Sequence, residues 1–232
     1  MRRMAADDGV ESPTRRWWLR ARLIEANDGI IAAAGVVEGI AGAGGGDETL
    51  LVAGLAIALA GGAAAGGAAY AEAAVEEDAE DALVEDERRR LAEAPDEELA
   101  ELTAIYERKG LSPRLAREVA TELTAHDALA AQLEAEHGLD LAEEEVPAWR
   151  SGFAGALAFG LGALIPLAVM ELAPPSARVP MTFVVVVVAL TITATIAART
   201  ADSSVPRAVA RTVAIGAGTM LATWAVGTLI GS

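Results

Sequence analysis

The sequence predicts an all-α polytopic membrane protein with five transmembrane helices and an acidic helical domain inserted between helices two and three. Five apolar stretches, at residues 26–46, 50–74, 153–170, 179–198 and 212–230, each have about the 20 residues with which a helix crosses a hydrocarbon core. Between the second and third stretches, residues 75–147 contain 23 of the 34 acidic residues. We therefore divide the chain into residues 1–74, 75–147 and 148–232.

The composition narrows the class of function. The net charge of −16 is concentrated in the inserted domain, so we expect no nucleic-acid partner, because phosphates would be repelled. Acidic side chains attract cations, although a run of charges is more often a solvated face. The absence of Cys excludes disulfides and thiolate metal ligands. The chain has no phosphate-binding loop and no Ser/His/Asp grouping, so we expect neither an enzyme nor a prosthetic group.

The basic residues predict how the chain is oriented in the bilayer. Six Arg residues precede the first apolar stretch without an apolar core of their own, so no signal peptide is expected. Other basic residues lie in the acidic domain and between the fourth and fifth stretches. The positive-inside rule then places the N-terminus and a three-helix acidic domain in the cytoplasm and the C-terminus outside, with Arg178 alone on that side. We expect a multi-pass protein of the plasma membrane.

Helix signals divide the acidic domain. The second apolar stretch continues into it without a breaker, which predicts one long helix. Pro95 predicts the start of the next helix, because proline suits a first helical turn. Ser112, as N-cap, and Gly138 mark the limits of a third helix. On that helix we interpret His126 as a core histidine rather than a metal ligand, and His137 as a cap of the helix end.

Two acidic residues fall within the first apolar stretch. Ionisable residues inside membrane helices are costly and usually face a water-filled or protein-lined path. Glu38 lies about ten residues beyond Asp28 and has no basic neighbour in that stretch. It must therefore hold a proton, pair with another helix or bind a cation. Asp28 has a second interpretation as an interfacial cap of the helix. We predict that both residues lie on a transport path.

Several segments together resemble a prokaryotic member of the vacuolar iron transporter (VIT) family. Residues 26–31 look like its Asn-Asp-Gly first-helix motif, residues 95–111 and 119–129 are similar to its cytoplasmic domain, and residues 159–167 resemble its third-helix Gly-Ala-Leu-Ile-Pro-Leu pattern. The resemblance implies a five-helix homodimer with the ion path between subunits. It also implies exchange of divalent metal, mainly ferrous iron, for protons. Gly- and Ala-rich faces on the first two helices suit the close packing that we expect in such a homodimer.

The resemblance also implies residues of a membrane metal site. Asp28 matches the first-helix aspartate of the family. The Met and Glu that the family usually has in helix two correspond here to Ala65 and Ala69. Glu38 stands where the family is normally apolar. Two interpretations are equally good: a carboxylate has moved from helix two to helix one, or transport has been lost or its substrate changed.

In the acidic domain, four Glu residues match metal-binding positions of the family. Arg90 and Gln132 stand where the family has a Glu and a Met. Carboxylates without thiolates suit hard or borderline cations such as Fe²⁺ and Mn²⁺. For any single Glu, a solvated acidic face is about equally good an interpretation. The four matching residues are Glu87, Glu98, Glu101 and Glu136.

Two hypotheses about function follow. The first is a homodimeric transporter that moves Fe²⁺ or Mn²⁺ out of the cytosol in exchange for protons, with the metal as substrate and the lipid bilayer as surroundings. The second is a non-transporting membrane protein whose acidic domain binds metal or a protein partner. Ala65 and Ala69 favour the second hypothesis, and Glu38 opposes it. A membrane-embedded enzyme is a weaker third.

Overall fold

The computed structural model describes residues 13–142 and 146–231, and these residues contain helices but no strands. Described residues up to Tyr70 and from Trp149 onward form one compact unit, called the apolar unit below, and Ala71–Ala148 form a second, the acidic unit. Seven helices are described: α1 (Pro13–Gly42), α2 (Asp47–Glu93), α3 (Pro95–Arg108), α4 (Pro113–His137), α5 (Ala148–Leu172), α6 (Arg178–Thr200) and α7 (Val205–Gly231).

Four of the described helices, α2, α5, α6 and α7, are long and apolar enough to cross a membrane. The prediction of a multi-pass, all-helical chain is confirmed to that extent. Helix α1, the predicted first span, is not among the four, because Glu25, Asp28 and Glu38 interrupt its apolar sequence. A fifth span therefore stays a prediction.

Helix α2 is continuous, as predicted from the absence of a helix-breaking residue. It runs for 47 residues, from an apolar first half into the acidic segment, and contributes to both units. Asp47 and Glu48 lie in its first turn and Arg90 in its last, where these charges complement the helix dipole.

Helices α1, α5 and α7 run in the same direction within the apolar unit. Against α7, Gly35 of α1 lies beside Thr219, and Gly39 lies one turn further on beside Thr223. Against α5, Arg22 donates a hydrogen bond to the backbone carbonyl of Ser151 near the start of both helices. The helix-one glycines that suggested a dimer surface therefore pack inside the chain.

Helix α2 runs antiparallel to α5. A Cβ atom added at Gly66 would lie 2.7 Å from the carbonyl oxygen of Gly152, whereas one added at Gly54 would meet Leu167 at the other end of α5. Most glycines of α2 are thus also used for packing within the chain, since only small residues let two membrane helices approach so closely.

Helix α6 begins beside the start of α2. The guanidinium of Arg178 donates from two nitrogens to the two carboxylate oxygens of Asp47. Asp47 is the first residue of α2 and Arg178 is the first residue of α6, so the two helices begin at the same end of the apolar unit. The five helices of this unit therefore alternate in direction along the chain, which is the arrangement that successive spans require.

The core of the acidic unit lies between α3 and α4, where Leu102, Ala120 and Ala131 are buried together. Helix α4 is broken at Asp127, whose backbone is extended at φ −157° and ψ 99°. The Asp127 carboxylate accepts a hydrogen bond of 3.0 Å from the Ala130 N–H and so caps the second half of the helix.

The interpretation of His126 as a core histidine was wrong. His126 is exposed, because the buried face of this half of α4 runs through Ala116 and Ala120. His137 is the basic residue in the last turn of α4, its Nε2 lies 3.6 Å from Glu136 Oε2, and its role as a cap stays a prediction. Gly138 ends the helix as predicted, with φ +70°. Ser112 is at the N-cap position, but its hydroxyl makes no capping hydrogen bond.

We predict that Gly29→Ala destabilises the apolar unit. A Cβ atom there would lie 2.1 Å from the Phe159 carbonyl oxygen, so α1 and α5 would have to separate, at a cost of about 1–3 kcal/mol. Thermal unfolding of the purified protein in detergent measures this loss. Gly218→Ala is the control, because a Cβ atom there meets no atom within 4 Å. Equal melting temperatures for the two variants would contradict the packing described here.

Candidate metal-binding sites

Three carboxylates from three helices meet in the acidic unit. Glu87 lies near the end of α2, Glu98 in the first turn of α3 and Glu136 at the end of α4. One oxygen from each lies within 4.8 Å of the others. Oxygens that share one cation at about 2.0–2.6 Å are at most about 5 Å apart, so this spacing suits a single divalent ion. We call these three residues the carboxylate cluster.

The cluster is buried and short of hydrogen-bond donors. Glu87 is 0% exposed and Glu98 is 5% exposed. Within the described residues, no donor reaches Glu87 Oε1, Glu98 Oε2 or Glu136 Oε1. Buried polar atoms without partners are costly, so carboxylate oxygens in this position are matched to a proton or a cation.

The guanidinium of Arg90 contacts two carboxylates of the cluster. Arg90 donates from Nη2 to Glu87 and, at 3.3 Å, to Glu136 Oε2. Its Nε also lies 3.6 Å from Asp86 Oδ2. Arg90 thus links α2 to α4 and partly neutralises the carboxylates. The sequence prediction identified Arg90 only as a departure from the family pattern.

A buried amide positions the third helix of the cluster. Gln132 is 1% exposed, and its Nε2 donates a 2.6 Å hydrogen bond to the backbone carbonyl of Glu98. Its Oε1 is buried and receives no hydrogen bond from the described residues. Gln132 precedes Glu136 by one helical turn, so both residues lie on the same face of α4.

The structure places the fourth predicted ligand, Glu101, outside the cluster. Glu98, Leu102 and Ile105 form the buried face of α3 at the spacing i, i+4 and i+7. Glu101 falls beside that face and is exposed. Three of the four predicted Glu residues are therefore brought together, and their role as ligands stays a prediction.

Burial controls the protonation of the cluster. It raises the pKa of Glu87 to about 7, against the opposing effect of the Arg90 charge and with added repulsion from Glu98 and Glu136. Burial also raises the pKa of Glu98. A protonated Glu87 can share its proton with Glu98, and a metal ion would have to displace that proton.

The two acidic residues predicted on the transport path differ in their surroundings within the apolar unit. Glu38 is 1% exposed, and its Oε1 receives no hydrogen bond from any described residue. Asp28 is exposed on the surface of the unit. Ten residues separate them on α1, or about 15 Å along the axis, so they do not share one coordination sphere.

The α1–α6 contact brings a residue that sequence reasoning missed toward Glu38. Thr193 donates its hydroxyl hydrogen to Asn27 Oδ1, which fixes the antiparallel register of the two helices. Continued turn by turn, this register brings Ile30 and Ala34 to Leu190 and Val186, which share one buried cluster with them. One turn further it brings Glu38 opposite Thr182.

Thr182 has the properties of a partner for Glu38. It is 0% exposed, and its hydroxyl is buried without a hydrogen-bond partner in the described part of the chain. The sequence signal was a Thr two residues before the Val-rich run of α6, which carries little information without the register of α1 against α6.

The positions where the family usually has helix-two ligands are apolar in structure as well as in sequence. Ala65 packs against the cluster of Ala33, Phe159 and Ala163. Ala69 is 8% exposed, and its methyl group lies beside Gly155 of α5. The carboxylate oxygen Oε1 of Glu25, on α1, lies beside the same Gly155, so an acidic side chain from another helix is near position 69.

These features define a multi-pass helical membrane protein with a buried carboxylate cluster in a separate acidic unit. The model of the VIT family matches residues 19–228, so the chain belongs to the VIT family. A protein of Acanthamoeba castellanii named "Vacuolar iron transporter" is 36% identical over 122 residues, which are 53% of this chain and 44% of that protein. The chain thus covers less than half the length of this curated relative.

We predict that the acidic unit loses stability as the pH rises through 7. Glu87 has a folded pKa of about 7 against 4.5 for the free side chain, so between these values the folded unit keeps a proton that the unfolded chain releases. The stabilisation is complete below pH 4.5 and is lost as the pH passes 7. Hydrogen exchange of residues 71–148 in the metal-free, full-length protein, corrected for intrinsic rates, should show less protection at pH 8 than at pH 6.

Two variants test the origin of this effect. Glu87→Gln mimics the protonated carboxyl and should make the pH dependence smaller. Glu101→Gln, an equal change at an exposed position, should leave it as in the parent protein. If both variants keep the parent's pH dependence, Glu87 is not the group responsible.

Proposed function

We propose that this chain is a homodimeric transporter that moves Fe²⁺ or Mn²⁺ out of the cytosol in exchange for protons. Family membership and the name of the Acanthamoeba relative support metal transport. The observation that carries the proposal is Glu38, a fully buried carboxyl with an unpartnered oxygen among apolar helices. Proton exchange and the identity of the metal rest on the chemistry of the residues below.

Glu38 can serve alternately as a proton carrier and a cation ligand. A buried carboxylate is too costly to remain ionised alone, so it keeps a proton or holds a cation. The hydroxyl of Thr182, opposite in the α1–α6 register, offers a hydrogen bond in the first state and a neutral oxygen ligand in the second. A carboxyl group that alternates between a proton-bound and a metal-bound state is the basis of proton–metal antiport.

Asp28 supports a second copy of the chain beside the first. If α1 crosses the membrane like the other four helices, its exposed carboxylate would face hydrocarbon unless another protein surface or a water-filled path covers it. A two-fold arrangement that pairs the Asp28 faces would place two such carboxylates along one path. Most of the glycines on α1 and α2 are occupied by packing within the chain, so they do not indicate a dimer surface.

The acidic unit would collect metal on the cytoplasmic side. The carboxylate cluster supplies hard oxygen ligands at a spacing suited to one divalent ion. Its raised pKa values would make metal uptake stronger at pH 7 than at lower pH, because protons compete for the same oxygens.

The second hypothesis, a non-transporting protein whose acidic unit binds metal or a protein partner, keeps specific support. Ala65 and Ala69 leave α2 without ligands where the family usually has them, and both pack against α5. Under this hypothesis Glu38 would be a protonated packing residue, so flux measurements separate the two.

We predict that the C-terminus lies outside and the acidic unit inside the cell. The alternating helix directions and the distribution of Arg residues both support this orientation. The chain has no Cys, so single-cysteine variants label cleanly. An impermeant maleimide added to intact cells should label Ser232→Cys, at a residue outside the described ranges, and should label Ser112→Cys only after lysis. Labelling of Ser232→Cys only after lysis would contradict the predicted topology.

We predict that Glu38→Gln abolishes proton-linked metal flux without unfolding the protein. The amide keeps the size of the side chain but can neither release a proton nor bind a cation as a carboxylate. Uptake of Fe²⁺ and of Mn²⁺ into proteoliposomes under two pH gradients measures the loss. Glu48→Gln, an equal change at an exposed position in the first turn of α2, should transport like the parent. Parental flux in Glu38→Gln would reject its role, and absence of flux in the parent would favour the non-transporting hypothesis.

A further inference from the structure

The carboxylate cluster already contains a cation, the guanidinium of Arg90. A single nitrogen, Nη2, lies within hydrogen-bond reach of Glu87 Oε2 and 3.3 Å from Glu136 Oε2. A divalent ion held by the same two carboxylates would need the space that this nitrogen occupies. The two cations therefore exclude each other by volume and by like-charge repulsion.

We propose that Arg90 is an internal competitor for the metal, so that a divalent ion binds the carboxylate cluster only when the guanidinium leaves Glu87 and Glu136. The proposal rests on the proposed function in taking the cluster as a divalent-ion site. It goes further by assigning to Arg90 the control of how tightly the ion is held.

The guanidinium leaves several ligand oxygens of the cluster unused. Glu87 Oε1, Glu98 Oε2 and Glu136 Oε1 receive no hydrogen bond from the described residues while Arg90 is in place. The fork of one guanidinium cannot reach oxygens distributed on several sides, whereas a metal ion collects ligands from all directions. Arg90 is therefore a partial occupant, which a better-matched cation can replace.

Arg90 also has a place to go when it is displaced. Its side chain is 33% exposed, compared with 0% for Glu87 and 11% for Glu136. Asp86, one helical turn earlier, is 47% exposed. Its Oδ1 accepts a hydrogen bond from Arg89, and its Oδ2, the oxygen open to Arg90, already lies 3.6 Å from Arg90 Nε. A rotation of the side chain toward Asp86 would keep the guanidinium paired at the surface while the cluster takes the metal.

The consequence is a weaker and more easily reversed metal site. Each binding event must break the contacts of Arg90 with Glu87 and Glu136, and each release restores them. A unit that passes metal onward needs such reversible binding, and the resident guanidinium keeps the carboxylates neutralised between ions. Removal of Arg90 should therefore raise the affinity for Mn²⁺ by about tenfold or more.

Mn²⁺ binding to the full-length protein in detergent tests this proposal, with electron paramagnetic resonance counting the free ion. The part of the Mn²⁺ binding that is lost in Glu98→Gln is assigned to the carboxylate cluster. This assignment separates it from any binding in the apolar unit. For that component, Arg90→Ala should bind Mn²⁺ about tenfold more tightly than the parent. Arg88→Ala is the control, because it removes the same charge at an exposed position two residues away.

The outcomes separate this proposal from the proposed function. Equal or weaker Mn²⁺ binding by Arg90→Ala, with a Glu98-dependent site present in the parent, overturns the role of Arg90 and leaves the cluster as a metal site. Absence of any Glu98-dependent binding in the parent and in the Arg90 variants overturns the cluster site, and this proposal with it. If hydrogen exchange shows that Arg90→Ala unfolds the acidic unit, Arg90→Gln, which keeps length and hydrogen bonding, decides by the same affinity comparison.

Discussion

The burial of carboxylates with too few donors around them is the constraint on which the rest of this structure depends. It operates in both units: Glu38 in the apolar unit and Glu87 and Glu98 in the acidic unit are nearly inaccessible to solvent, and each has an unpartnered oxygen among the described residues. Such groups raise the energy of the fold unless a proton or a cation accompanies them. The proposed binding of protons and metal ions by this protein follows from that energetic cost.

The two units meet this constraint in different ways. In the acidic unit, Arg90 provides a permanent positive charge, and three helix ends are brought together around it. In the apolar unit, no ion pair joins Glu38 to a basic residue among the described residues, and the neutral hydroxyl of Thr182 lies opposite it in the α1–α6 register. Arg90 therefore offsets part of the negative charge in the acidic unit, although burial still raises the pKa of Glu87 to about 7, whereas Glu38 is limited to exchange between a proton and a cation. A transporter that collects metal in one step and moves it across the membrane in another would need two such different sites.

The architecture could be predicted from sequence because hydropathy and helix breakers are local signals. The long α2, the start of α3 at Pro95 and the end of α4 at Gly138 all follow from such signals. The break at Asp127 could not be foreseen as easily, because an Asp inside a helical pattern becomes a cap only when the chain turns there. His126 was misplaced for a different reason: the buried face of α4 before the break runs through Ala116 and Ala120 rather than along the predicted stripe.

The site could be predicted only in part, because it depends on contacts between distant helices. The resemblance to the family supplied Glu87, Glu98, Glu101 and Glu136, and of these Glu101 lies off the buried face of α3 and outside the cluster. Thr182 and the bridging role of Arg90 needed the register of one helix against another. Sequence alone gave the identity of these residues but not the surfaces on which they meet.

Anomalous diffraction from crystals grown with Mn²⁺ tests the central claim most directly, because it locates the ion without assuming a ligand set. The account predicts an anomalous peak among the carboxylates of Glu87, Glu98 and Glu136, with the Arg90 guanidinium turned away toward Asp86. A fully occupied Mn²⁺ elsewhere in the protein, with Arg90 still bridging Glu87 and Glu136, would contradict it.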